Sequence, residues 1–82
     1  MTTTAENRAR YAAESPRYAA ARTVVDSATA GTLEGALLDV YTASAMVSVY
    51  EALAPDTRGK FNTLPLDRLV TVIWKLAAAR VN

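Results

Sequence analysis

Apolar residues along this chain recur at helical spacing, and the signals that start and end helices divide them into segments. Thr4 is placed to cap a first helix, and Ser15 followed by Pro16 is a typical start of a second. Gly31 can end the second helix in the left-handed conformation, and Thr32 can cap a third. The pattern predicts an all-α fold, a small bundle of about four helices over residues 4–14, 16–28, 33–53 and 65–80, with a short helical turn near 55–62.

The predicted third helix has apolar residues around its whole circumference and no polar face. Its roughly 21 residues would span about 31 Å, which is also the thickness of a bilayer core. Glu34, Asp39 and Glu51 argue against a membrane span, because an acid inside a bilayer costs several kcal/mol. We therefore expect no membrane span, and a helix that needs cover on every side.

The last predicted helix is amphipathic. Leu69 and Ile73 belong to its inner stripe, whereas Asp67 and Lys75 lie opposite. Its apolar arc is wider than one neighbouring helix needs, about 200°, because Val72 and Trp74 flank the stripe. The preceding helical turn should carry Phe61 towards the core.

The chain length limits the amount of core. At 82 residues we predict one domain, residues 1–82, in which 1–14 can form a loosely attached N-terminal helix. Hydrophobic residues make up 51 % of the chain, but much of this share is alanine, which favours helix while adding little apolar area. Core volume is therefore scarce, and the third helix has more apolar surface than the rest of the chain can cover.

The sequence contains no candidate catalytic set. The absence of cysteine and histidine removes thiolates, disulfides, the commonest metal ligands and the near-neutral general base. Glu34 and Asp39 are five residues apart and would point in different directions on a helix, which favours solvated or salt-bridged surface acids. Gly31 and Gly35 fit helix ends and close helix contact rather than a phosphate-binding loop. We predict no enzyme, no cofactor and no metal site, and, since residues 1–10 lack a signal-peptide pattern, a cytoplasmic protein.

The uncovered apolar surface instead predicts a protein-binding role. The alanine-rich second helix offers little bulk, so the third helix should pair with its copy in a homo-oligomer or with a helix of another protein. The third and the last helix should together supply the binding surface. Aromatic residues are enriched at such interfaces, although Trp74 could equally close the core as a half-buried lid. The candidate interaction residues are Tyr11, Tyr18, Tyr41, Val47, Tyr50, Val72 and Trp74.

Nucleic-acid binding is the alternative function. The net charge is +1, but the bases concentrate in residues 57–82, which contain five bases and one acid. Arg58, Lys60, Arg68 and Lys75 could contact a phosphate backbone. The same four residues also fit an ordinary solvated basic face, since the exposed face of the last predicted helix adds only Thr71 and alanines, and no Asn or Gln, to read bases.

The C-terminal half of the chain resembles a group of phage proteins. The stretches 37–45, 50–53, 64–66 and 74–76, together with Lys60-Phe61, are similar to those of small helical proteins of mycobacterial and related actinobacterial phages. The resemblance implies a non-enzymatic phage accessory protein that acts in the cytoplasm of the bacterial host cell. Such a protein would bind a host protein or itself through an apolar helical surface.

Overall fold

The computed structural model describes residues 3–80, which form five helices and one two-stranded antiparallel sheet. In chain order the elements are α1 (Thr4–Glu14), α2 (Pro16–Ser27), β1 (Gly31–Leu33), β2 (Ala36–Leu38), α3 (Val40–Ala52), α4 (Pro55–Thr63) and α5 (Leu66–Arg80). The predicted, mainly helical character is confirmed. The predicted absence of strands is wrong, and the segment near 55–62 is a full helix of nine residues rather than a turn.

The first two helices begin and end close to the predicted positions. Thr3, one residue before the predicted cap, accepts a hydrogen bond from the Glu6 amide at 3.1 Å. Ser15 caps α2 as predicted, with its hydroxyl 3.1 Å from the Tyr18 amide, and Pro16 occupies the first turn. Ala28, rather than Gly31, adopts the left-handed conformation that ends α2.

The predicted helix 33–53 is wrong in its first part, where residues 31–38 form a β-hairpin. Glu34 and Gly35 connect the strands with φ angles of 52° and 82°. Two positive φ angles in a two-residue loop match the right-handed twist of paired strands, and Gly35 adopts this conformation without steric cost. Gly35 therefore serves a turn and not the close helix contact that we expected, since nothing lies within 4 Å of the position of a Cβ atom there.

Asp39 ends the hairpin and starts α3. Its carboxylate accepts hydrogen bonds from the Thr42 amide at 2.7 Å and from the Thr42 hydroxyl at 3.0 Å. The Thr42 amide is the main reason that the pKa of Asp39 lies below its usual range. Asp39 thus performs the capping role that was predicted for Thr32, which instead lies in β1.

Helix α3 is the centre of the core and packs against both α2 and α5. Gly31 lets β1 approach α2, because a Cβ atom there would lie 3.1 Å from Cγ2 of Val24. Helix α4 carries Phe61 into the core, as predicted. The buried apolar residues are Tyr11, Tyr18, Ala21, Val24, Leu33, Leu38, Ala43, Met46, Val47, Val49, Tyr50, Phe61, Leu69 and Ile73.

The N-terminal helix contributes Tyr11 to this core. Whether residues 1–14 form a loosely attached helix stays a prediction, and residues 1, 2, 81 and 82 of the predicted domain lie outside the described residues. No helix within residues 3–80 has the length and apolar character needed to cross a membrane.

Val47 provides the first test of this packing. We expect Val47→Asp to unfold the protein, because an unpaired charge at a buried position costs several kcal/mol, a large part of the stability of a small domain. Ser44→Asp on the exposed side of α3 is the matched control and should retain the helical circular-dichroism spectrum. A folded Val47→Asp variant with an unchanged midpoint of urea unfolding would contradict this packing.

Candidate interaction surfaces

Three of the predicted interaction residues form an aromatic cluster inside the core. The ring of Tyr11 meets the rings of Tyr18 and Tyr50 edge-on, with centroids 5.6 Å and 5.5 Å apart. Tyr18 and Tyr50 are 5.1 Å apart, and Phe61 packs edge-on against Tyr50 at 4.8 Å. Because these rings and Val47 are buried within one chain, they do not contact a partner while this fold is intact.

The tyrosine hydroxyl groups of this cluster have acidic partners at its edge. Tyr18 donates a hydrogen bond to Glu51 at 2.6 Å, and Tyr50 donates one to Glu14 at 2.8 Å. Burial, followed by the Glu51 hydrogen bond, raises the pKa of Tyr18 to about 12. Burial and the Glu14 hydrogen bond raise the pKa of Tyr50 for the same reasons.

Arg58, the first residue of the predicted nucleic-acid set, completes the aromatic cluster. Its guanidinium carbon lies 4.3 Å from the centre of the Tyr11 ring and 5.4 Å from that of Tyr50, within the range of cation–π attraction. It also donates hydrogen bonds to the Tyr11 hydroxyl at 3.0 Å and to the Tyr50 carbonyl at 3.3 Å. These contacts occupy Arg58 in the fold, whereas Lys60, Arg68 and Lys75 remain exposed.

A second buried guanidinium, that of Arg17, fixes the hairpin to the helices. Two of its nitrogens donate to the carboxylate of Glu34, with Nε 2.6 Å from Oε2 and Nη2 3.2 Å from Oε1. The same guanidinium donates through Nη1 to the carbonyls of Phe61 at 2.9 Å and Leu64 at 2.7 Å. The hydrogen bonds from Arg17 keep the pKa of the Glu34 carboxyl below its usual range.

Pro65 explains why Arg17 is needed at this place. In a continuing helix the Phe61 carbonyl would accept from the amide four residues later, but that residue is Pro65, which has no N–H. The Arg17 guanidinium supplies the missing donor in the last turn of α4. One side chain from the first turn of α2 thus fixes both the end of α4 and the tip of the hairpin.

Within residues 3–80, five large apolar side chains are left exposed by the core, and four of them lie in β2 and α5. Two of the predicted residues, Val72 and Trp74, belong to this set. Leu37 and Leu76 were not among the predicted interaction residues; Leu37 lies in β2, which was predicted to be helical. The exposed large apolar residues are Leu37 (79 %), Tyr41 (81 %), Val72 (40 %), Trp74 (45 %) and Leu76 (39 %).

The hairpin cleft is an open apolar cavity of about 600 Å³ between β2 and the first turns of α5. We define it by Leu33, Leu37, Leu38, Leu66 and Val70, which provide most of its apolar lining. Its rim carries the carboxylates of Asp39 and Asp67. Neither of these carboxylates forms an ion pair with a residue in the described part of the chain.

The α5 groove is a second apolar cavity, of about 240 Å³, on the other side of α5. We define it by Val49, Leu53, Leu64, Val72 and Leu76; Lys60 also lines it. A further volume of about 170 Å³ shares three of these residues, Val49, Leu53 and Leu76, and extends the groove towards the end of α5. The groove is therefore bordered by a base, whereas the hairpin cleft is bordered by acids.

Trp74 and Tyr41 lie outside the linings of both cavities. Trp74 follows Val70 by one helical turn, so its half-exposed ring extends the apolar side of α5 beyond the hairpin cleft. Tyr41 projects from the first turn of α3 into solvent.

Comparison of the chain with family models, with curated proteins and with solved structures gave no match. Within the described residues, no group of three or more acidic side chains is placed to hold a metal ion. The surfaces described above therefore have to be interpreted from their own geometry.

Replacing Arg17 tests its role as a common anchor. We expect Arg17→Met to lower the free energy of unfolding by about 2–4 kcal/mol, because the carbonyls of Phe61 and Leu64 lose a buried donor. Urea unfolding measures this loss. The smaller change Glu34→Gln keeps both carbonyl contacts and should cost much less; equal losses for the two variants would contradict the anchoring of α4.

The ion pair with Glu34 also gives a pH dependence. Because the folded-state pKa of Glu34 lies below its ordinary value of 4.5, the ion pair stabilises the protein above pH 4.5. This contribution is lost as the pH falls below 4.5 and through the folded-state pKa. The difference in unfolding free energy between the wild type and Glu34→Gln should therefore shrink on acidification, and a constant difference would contradict the pairing.

The raised pKa of Tyr18 predicts a change in the stability of the fold at alkaline pH. Its folded-state pKa of about 12 exceeds its ordinary value of 10.0, so its burial stabilises the fold below pH 10 and this stabilisation is lost between pH 10 and 12. In an ultraviolet titration, Tyr18→Phe should remove an absorbance change that the wild type shows only near pH 12. If Tyr18→Phe instead removes an absorbance change centred near pH 10 in the folded protein, the buried position of Tyr18 is contradicted.

Proposed function

We propose that the protein is a non-enzymatic binding module that recognises a protein surface through the apolar residues on the two sides of α5. One observation carries the proposal: five large apolar side chains remain 39–81 % exposed in a chain whose supply of bulky apolar residues is small. Contiguous exposed apolar surface is typical of interaction sites in soluble domains. The hairpin cleft and the α5 groove give this surface the concave shape that side chains of a partner can enter.

The proposed surface keeps Val72 and Trp74 of the last helix from the sequence prediction and replaces most of the third helix by the hairpin. Most of the apolar circumference of α3 is covered by α2 and α5, and Tyr41 is the one large apolar side chain of α3 that is exposed. The other uncovered residues are Leu37 in β2 and Val72, Trp74 and Leu76 in α5. We therefore place the binding role on the hairpin and α5.

Two kinds of partner fit this role, a second copy of the chain and a protein of a bacterial host. The first follows from the excess of apolar surface, which a homo-oligomer would bury. The second is supported by the resemblance of the C-terminal half to small phage proteins. In both cases the protein would act as a phage accessory factor without catalysis.

Nucleic-acid binding is the alternative, and Lys60, Arg68 and Lys75 are the residues left for it. The contacts of Arg58 with Tyr11 and Tyr50 weaken this alternative, since that guanidinium would have to leave the aromatic cluster to reach a phosphate.

Trp74 provides a built-in probe for the proposed function because it is the only tryptophan and is half-exposed. We expect its emission to shift to shorter wavelength when a second copy or a host protein covers α5. Light scattering and Trp74 emission of the purified protein, followed from micromolar to millimolar concentration, measure self-association, and affinity capture from a bacterial lysate measures binding of a host protein. The double variant Val72→Ser, Leu76→Ser should weaken association through the α5 groove, and the matched control Thr71→Ser should leave it unchanged.

The contradicting result is a monomer with unshifted Trp74 emission at every concentration, together with no host protein that the wild type captures and the double variant does not. A gel-shift titration of duplex DNA at two salt concentrations tests the alternative, because phosphate contacts weaken steeply with salt whereas apolar docking does not. Binding that disappears at high salt and is unaffected by the Val72, Leu76 double variant would favour the nucleic-acid function.

A further inference from the structure

The outer edge of β2 has backbone groups without a partner in the sheet. Leu33 pairs with Ala36 across the two-residue turn, Thr32 pairs with Leu37, and Gly31 pairs with Leu38. In an antiparallel hairpin with such a turn, hydrogen-bonded and non-hydrogen-bonded pairs alternate, starting with the hydrogen-bonded pair next to the loop. The N–H and C=O of Leu37 therefore point away from β1.

This free edge lies at the hairpin cleft. All three residues of β2 line the cleft, and the opposite wall comes from Leu66 and Val70 at the start of α5. The other edge of the hairpin belongs to β1, which packs against α2. A strand placed beside β2 would lie about 4.8 Å from it and would direct alternate side chains towards the apolar wall.

We propose that the hairpin cleft binds an extended apolar segment of a different protein that carries basic residues, and that this segment adds a third strand beside β2. This inference rests on the proposed function and specifies the partner chemistry of one of its two surfaces. The Leu37 N–H and C=O supply main-chain hydrogen bonds, and the cleft receives alternate apolar side chains.

The rim of the cleft selects the charge of the segment. Asp39 and Asp67 border the cleft, and its lining contains no base. The Asp39 carboxylate is held ionised by the Thr42 amide, and the Asp67 carboxylate lies in the first turn of α5. A lysine or arginine on each side of the apolar residues would meet these carboxylates, whereas an acidic segment would be repelled.

The same charges argue against a second copy at this edge. A second copy that paired through its own β2 would bring no base to Asp39 and Asp67, because residues 31–39 contain none. It would instead add the Asp39 and Asp67 carboxylates of its own cleft. The edge is therefore suited to a basic segment from another protein.

The test uses two acetylated and amidated peptides, Lys-Val-Thr-Val-Lys and its charge-reversed analogue Glu-Val-Thr-Val-Glu, with the full-length, isotope-labelled protein. Backbone amide spectra recorded during titration identify the binding site. We expect the lysine peptide to shift the Leu37 amide resonance most. It should bind at least about tenfold more tightly than the glutamate peptide, because each peptide places two charges near the carboxylates of Asp39 and Asp67.

Proline variants separate strand addition from simple apolar contact. Leu37→Pro removes the outward N–H without removing a hydrogen bond of the hairpin, and should weaken binding of the lysine peptide about tenfold. Leu37→Ala keeps the N–H and should weaken it much less. Thr32→Pro is the matched control on the other edge of the hairpin, where the N–H also points outward, and should leave binding unchanged while reporting any damage to the fold.

The absence of lysine-peptide binding at millimolar concentration, or equal binding of both peptides, would overturn this inference. Equal losses for Leu37→Pro and Thr32→Pro, with both variants folded, would overturn it as well. Lysine-peptide shifts confined to Val72 and Leu76 would also overturn it while leaving the proposed function intact. Failure of the proposed function itself is read separately, from the oligomeric state and from affinity capture with the wild type and the Val72, Leu76 double variant.

Discussion

The buried guanidinium of Arg17 is the interaction on which the rest of the structure depends. It joins the carboxylate of Glu34 at the hairpin tip to the carbonyls of Phe61 and Leu64 at the corner between α4 and α5. The corner needs an external donor because Pro65 cannot provide one. A buried charge is tolerated only when its hydrogen-bonding capacity is used, and four hydrogen bonds to three residues meet that condition here. Together with the burial of Leu33 and Leu38, this side chain fixes the position of the hairpin relative to α5, and with it the hairpin cleft.

The sequence predicts much of the helical framework because the capping signals act locally. Ser15 and Pro16 start α2 where expected, and the inner stripe of α5 buries Leu69 and Ile73. The hairpin could not be predicted in this way, because Leu33, Leu37 and Leu38 fit a helix as well as two short strands, and the Glu34-Gly35 turn is stabilised by Arg17, which is distant in sequence.

The exposed apolar surface was predicted only in part, because a local pattern determines some of it and tertiary contacts determine the rest. The exposed Val72 and Trp74 follow from the width of the apolar arc of α5, which is a local property. The burial of Tyr11 and Tyr50 depends instead on Arg58, Glu14 and Phe61, which reach the cluster from other elements. Their aromatic character alone favoured an interface. In the fold these tyrosines belong to the core, and most of the exposed apolar surface lies on the hairpin and α5.

Amide hydrogen exchange at Ala36 and Leu38 tests the central role of Arg17 most directly, because the amides of both residues face β1 in the hairpin. If Arg17 joins the hairpin to the core, these amides should exchange only through global unfolding. Their free energies of opening should then equal those of the central amides of α3. Exchange of Ala36 and Leu38 through a separate local opening, while α3 stays protected, would contradict the account.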